Sequence, residues 1–103
     1  MRTIEDIKRL NAAQGYHFFD RDAMRFFNSR VLSRVMVLPY DDGMLYFVTS
    51  ERDGDKPRKY TLRSICVREG DERYGKVETL SDFEQFDSAR QAYSYATKAH
   101  YLR

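Results

Sequence analysis

The sequence has little of what a stapled, membrane-bound or metal-clustered protein needs. It holds one cysteine, Cys66, in 103 residues. A single thiol excludes an internal disulfide and a cysteine-based metal cluster. No apolar stretch approaches the length of a membrane span, and no signal-peptide core appears near the start. A cytoplasmic location is therefore expected. Two prolines and five glycines leave few forced breaks, and tryptophan is absent. The large core volume must come from seven phenylalanines and eight tyrosines. Charge of one sign is also lacking, because the formal net charge is only +2.

The rest of the composition is that of a globular chain: 42% hydrophobic, 15% aromatic and 33% charged. Residues 1–103 are read as one domain, which at this size buries a continuous core unaided. The charges alternate by segment. Residues 58–68 carry four basic and no acidic side chains, whereas residues 69–88 carry two and seven. Such alternation favours contacts within the chain over a basic tail.

The period of the apolar residues sets the elements. In "TIEDIKRLNAAQG", Ile4, Ile7 and Leu10 recur at helical spacing. Thr3 and Asp6 resemble a capping box, and Gly15 is a stop. In "HFFDRDAMRFFN", Asp20 is expected to cap a short second helix. Ala23, Phe26 and Phe27 share its inner face, with Phe18 or Phe19 stapled onto Ala23 or Met24, and Asn28 and Ser29 end it. The period then drops to that of strands. "RVLSRVMVLP", "MLYFVTSE", "RKYTLRSICVR" and "KVETL" read as four strands, with a tight turn at Tyr40–Gly43. "SDFEQFDSARQAYSYATKAHYL" reads as a final helix capped by Ser88, its apolar stripe running through Ala89, Ala92, Tyr93, Ala96, Ala99 and His100. The expected fold is α+β, order α-α-β-β-β-β-α, a four-stranded antiparallel meander with helices on one face. One strand resists simple parity: Tyr60 and Leu62 share a face, while Ile65 and Val67 fall on the other. A β-bulge near Arg63 or Ser64 would reconcile them.

Sites for chemistry are sparse. His17 and His100 are the only histidines, and no nucleophile, phosphate-loop or zinc motif accompanies them. Asp41 with Asp42 and Asp53 with Asp55 are paired turn carboxylates. "SERDGDKP" falls short of a calcium loop. No catalytic residue, metal ligand or cofactor is assigned, and the chain is expected not to be an enzyme. Cys66, in an apolar run, is expected to be buried. Binding is the expectation that fits the remainder. Tyrosine and arginine dominate interface hot spots. Tyr95, off the alanine stripe, and Tyr101 are the candidate residues for a protein partner. The alternative is nucleic acid on a basic sheet face built from Arg30, Arg34, Arg58, Lys59 and Arg63. The sequence specifies neither the partner's identity nor an oligomeric state.

The ordered series "FFNSR", "YFVTSE", "RKYTLR" and "FEQF", followed by an alanine-rich helix, resembles a group of small phage- and prophage-encoded bacterial proteins with no assigned activity. The similarity runs from Phe26 to about Ala99. It implies a bacterial, cytoplasmic setting and a modulator of a host protein or nucleic acid, and it carries over no catalytic residue.

Overall fold

The computed structural model describes residues 3–26, 28–36, 43–52 and 54–101; of residues 26 and 99–101 it describes the backbone. Helix α1 spans Ile4–Ala13 and α2 Arg21–Phe26; strands follow at Arg30–Val31 (β1), Met44–Glu51 (β2), Lys59–Cys66 (β3) and Val77–Thr79 (β4); helix α3 spans Ala89–Tyr101. The strands form one antiparallel sheet in chain order. The fold is the expected α+β arrangement.

Local signals placed the element ends. The backbone N–H of Asp6 donates to Thr3 Oγ1 at 3.2 Å, and Thr3 N–H donates back to Asp6 Oδ2 at 3.3 Å. That reciprocal pair satisfies two orphan donors of α1. Ser88 Oγ accepts from Gln91 N–H at 3.2 Å and starts α3. Asn28, at φ 50°, ends α2 in the left-handed region that asparagine tolerates. Of the two expected staple partners, Ala23 is exposed and Met24 half-buried. Phe18 and Phe19 pack on Phe47, with ring centroids 6.2 and 5.8 Å away. The expected core roles of Phe26, Phe27 and His100, and the turn at Tyr40–Asp42, lie outside the described residues.

Pairing of β2 with β3 runs without interruption from Met44↔Cys66 to Glu51↔Lys59. The expected bulge at Arg63 or Ser64 is therefore absent. The parity conflict has another cause: both faces of the sheet are covered. On one face Leu45, Phe47 and Ile65 form a buried cluster with Ile7 and Leu10 of α1. On the other, Val48 and Leu62 pack with Phe86 and with Ala92, Tyr93 and Ala96 of α3. Helices thus lie on opposite faces, not on one. Strands covered twice read as continuous apolar runs rather than alternations. Cys66 is buried at the end of β3, as expected.

Asn11 fastens α1 to the sheet. Its Nδ2 donates to the Gly75 carbonyl at 2.7 Å, and its Oδ1 accepts from Phe18 N–H at 3.2 Å. Gly75 has φ +83°, and a Cβ there would lie 2.7 Å from Gln14 Cγ. Only glycine fits so close beneath α1. Ser64 is the opposite case: its buried Oγ has no hydrogen-bond partner among the described residues. Burying a polar atom unpaired costs about 1–3 kcal/mol, and stranding a partner costs as much. Asn11→Ala is expected to lose about 2 kcal/mol of stability in urea unfolding. Ser64→Ala is expected to lose none and to gain up to about 1 kcal/mol. A clear loss at Ser64→Ala would show that its hydroxyl is satisfied.

Candidate functional site

The basic residues divide into those tied down inside the fold and those facing outward. Arg63 belongs to the first kind. It shares the α1 face with Thr49, Glu51, Thr61 and Thr79, because cross-strand partners point the same way. Glu51 is 0% exposed and Arg63 12%, and Arg63 Nη2 meets Glu51 Oε1 at 3.1 Å. Thr49 Oγ1 donates to Glu51 Oε1 at 2.5 Å and Thr61 Oγ1 to Oε2 at 3.0 Å. Arg63 also donates to Thr49 Oγ1 and Thr79 Oγ1, and its guanidinium lies over the Phe18 ring at 5.2 Å. This is a satisfied polar cluster inside the fold, and it offers no open cation. Lys59 is occupied as well, by an ion pair with Asp87.

One group of outward cations lies on the α3 side. The edge strand distorts to bring one of them there. Arg30↔Ser50 and Val31↔Thr49 set the register, and Leu32 N–H donates to the Val48 carbonyl. The next bridge is Met36↔Tyr46. Three residues, Ser33, Arg34 and Val35, therefore stand opposite Phe47 alone. Such a bulge bends the edge and re-aims a side chain. The Arg34 carbonyl accepts from the Tyr93 hydroxyl at 3.1 Å, and the Arg34 guanidinium covers the Tyr93 ring at 4.6 Å.

Beside this contact runs an open groove of about 620 Å³ between the bulged edge and α3, lined by Arg34, Met36, Arg90, Tyr93, Thr97 and Lys98 among others. A second hollow of about 400 Å³ lies across the same ridge, with Phe86 and Tyr95 on its far side. Arg90, Ser94 and Lys98 border both. They recur every four residues, so they form one row on the helix. Among the described residues lining either hollow there is no carboxylate. Tyr95 is 40% exposed and leans on Phe86, with ring centroids 5.3 Å apart. Tyr101, the other tyrosine expected to bind a partner, has its side chain outside the described residues.

Arg30 and Arg58 meet at the other end of the edge. Arg30 is the cross-strand partner of Ser50, whose Oγ accepts from Arg58 Nη1 at 2.8 Å. The five residues of the nucleic-acid alternative are thus spread over the molecule: Arg30 with Arg58, Arg34 at the groove, Lys59 on Asp87, and Arg63 on the opposite face. Sequence reasoning missed Arg90, Lys98 and Arg52. The first two were readable from their spacing, one row away from the alanine stripe.

The remaining candidates can be placed briefly. His17 Nδ1 meets Asp20 Oδ2 at 2.9 Å, with side chains 80% and 56% exposed, so the pair has no enclosing wall. Asp20 stands directly before α2, as expected, where its carbonyl accepts from Met24 N–H at 3.0 Å. Among the described residues no group of three or more His, Cys, Asp or Glu could hold a metal ion, and no helix is long and apolar enough to cross a membrane. Asp41, Asp42 and Asp53 lie outside the described residues.

A family model matches residues 3–97, which takes in α1, α2, all four strands and most of α3. The chain belongs to a family of unknown function, DUF7447. No curated protein and no solved structure matches it. Both hollows and the bulged edge of this DUF7447 chain fall within or beside the matched span, since Lys98 directly follows it.

Two measurements test how the site is built. Removing one partner of a buried ion pair costs about 3–5 kcal/mol. Glu51→Ala is expected to destabilise on that scale in chemical denaturation. Burial raises the Tyr93 hydroxyl above its ordinary pKa, against a smaller lowering by Arg34. The folded chain therefore keeps a proton that the unfolded chain releases above about pH 10. Stability must fall as pH rises through that range. Tyr93→Phe is expected to cost about 1 kcal/mol at neutral pH, by loss of the hydrogen bond to Arg34. It should also flatten the alkaline decline seen in urea titrations.

Proposed function

We propose that this chain is a non-enzymatic binding module whose α3 face recognises an acidic segment of a partner protein. One observation carries the reading. Arg34, Arg90 and Lys98 border two adjoining hollows without a described carboxylate among the lining residues, and an exposed tyrosine stands beside them. Aromatic rings with a polar tip and arginine guanidinium groups are the side chains that dominate interface energetics. Electrostatic complementarity then selects a partner and orients its approach. Tyr95 over Phe86 is the anchor, and the Arg90–Ser94–Lys98 row is the charged rim. Tyr101 is proposed as a second contact residue, to be tested alongside Tyr95. A phage- or mobile-element-encoded modulator acting on a host protein in the bacterial cytoplasm is the setting in which such a module fits, by its resemblance to small proteins of that kind.

The test is capture of partners from bacterial lysate on immobilised protein, with and without nuclease. A protein partner is expected to stay after nuclease treatment. Tyr95→Ala should weaken its capture by about 2 kcal/mol, the scale of an interface hot spot. Arg90→Glu should slow association, with a dependence on ionic strength. Capture that disappears with nuclease, or that is indifferent to Tyr95→Ala, would overturn the reading.

A further inference from the structure

The corner where β1 meets the end of β2 gathers like charges on one spot. Arg30 stands opposite Ser50 in the ladder. Arg52 directly follows β2, two residues after Ser50. Arg58 arrives from the β2–β3 loop. Its Nη1 donates to the Ser50 carbonyl at 3.2 Å and to Ser50 Oγ at 2.8 Å, and its Nη2 donates to the Asn28 carbonyl at 2.9 Å. The guanidinium is thereby fixed in orientation by groups of both strands' ends. A guanidinium has five N–H donors. Three bonds leave Nε–H and one Nη2–H without a partner among the described residues. Of the carboxylates beside this corner, Glu51 points to the opposite face and is engaged by Arg63, Thr49 and Thr61, Asp55 is exposed in the β2–β3 loop, and Asp53 lies outside the described residues. The crowding is visible in the electrostatics. Partial burial, then Arg30, then Arg52, draw the Arg58 pKa below its ordinary value. Like charges held together this way are relieved by an anion.

We infer that Arg30, Arg52 and Arg58 form a binding site for a phosphate group, supplied either as the free anion or as a nucleic-acid phosphodiester. Arginine suits the role because its planar fork matches two phosphate oxygens at once. Arg58 supplies the fixed element, and Arg30 and Arg52, both exposed, close on the anion from either side. The site is separate from the α3 hollows and stands or falls independently of them.

The experiment follows arginine side-chain N–H resonances by NMR while inorganic phosphate is added at constant ionic strength. Saturable shifts at Arg58, Arg30 and Arg52, with Arg9 unmoved, are expected. Arg30→Gln and Arg52→Gln are each expected to weaken binding about fivefold, the effect of one solvent-screened charge at contact distance. Arg58→Gln should weaken it more; because Arg58 also joins α2 to β2, the two other variants keep the test decisive. Arg9→Gln, on α1 and paired with Asp6, should leave it unchanged. A second arm titrates a short single-stranded oligonucleotide by fluorescence anisotropy. Binding about tenfold or more tighter than phosphate, with a salt slope reduced by about one in Arg30→Gln, assigns the phosphodiester as source. Binding no tighter assigns the free anion. Shifts that do not saturate, or that move every arginine alike, would overturn the site.

Discussion

Eight residues of β2 pair with eight of β3 in one register, and every other feature of the molecule is positioned by that ladder. Alternate side chains of each strand leave on opposite faces, so the register decides which helix each residue meets. Leu45, Phe47 and Ile65 go to α1, while Val48 and Leu62 go to α3. The same rule assembles Thr49, Glu51, Thr61 and Arg63 at the end of the α1 face. A slip of one residue would carry Glu51 and Phe47 together to the α3 face, taking the carboxylate away from Arg63 and the phenyl ring away from α1. Burying a carboxylate without Arg63 and the two threonines would be prohibitive. Register is therefore specified twice, by apolar packing and by the ionic cluster.

The division of the cations follows from this. Arg63 and Lys59 serve the interior and its margin. Arg34, Arg90 and Lys98 surround α3, and Arg30, Arg52 and Arg58 crowd one corner of the edge. The sheet itself has no open face to offer. Any recognition of an anionic partner must use the helix surface or the strand edge. The proposed acidic protein segment and the proposed phosphate group occupy those two places respectively.

Sequence patterns were most legible where the physics is local. Thr3 with Asp6, Ser88 with Gln91, and Asn28 at the end of α2 involve neighbours within a few residues, and each appears as its spacing implies. The second strand, Met44–Glu51, also emerges with its limits intact. Interactions across long loops were not legible in this way. The parity break between Leu62 and Ile65 has the appearance of a bulge when one covering helix is assumed. With α1 and α3 on opposite faces it is simply the sign of a strand buried twice. Arg63 reads as a surface cation because nothing within its own segment reveals Glu51 twelve residues upstream. The first strand shows ten residues of strand-like composition, yet among the described residues its ladder is two residues long with a separate bridge at Met36, because the register jumps between Leu32 and Met36. Within α3, the Arg90–Ser94–Lys98 row was present in the spacing and was hidden only by attention to the alanines.

That jump in register carries a consequence for how copies of the molecule behave toward one another. An uninterrupted outer strand offers a ruler of amide groups on which a second chain can crystallise, and concentrated β proteins fail by that route. Here the outermost strand is swollen at Ser33–Val35, and one of its carbonyls is already claimed by the Tyr93 hydroxyl. The far border, Val77–Thr79, is only three residues long. Among the described residues, both margins of the sheet are thus short or interrupted, which is how natural sheets guard against edge-to-edge pairing.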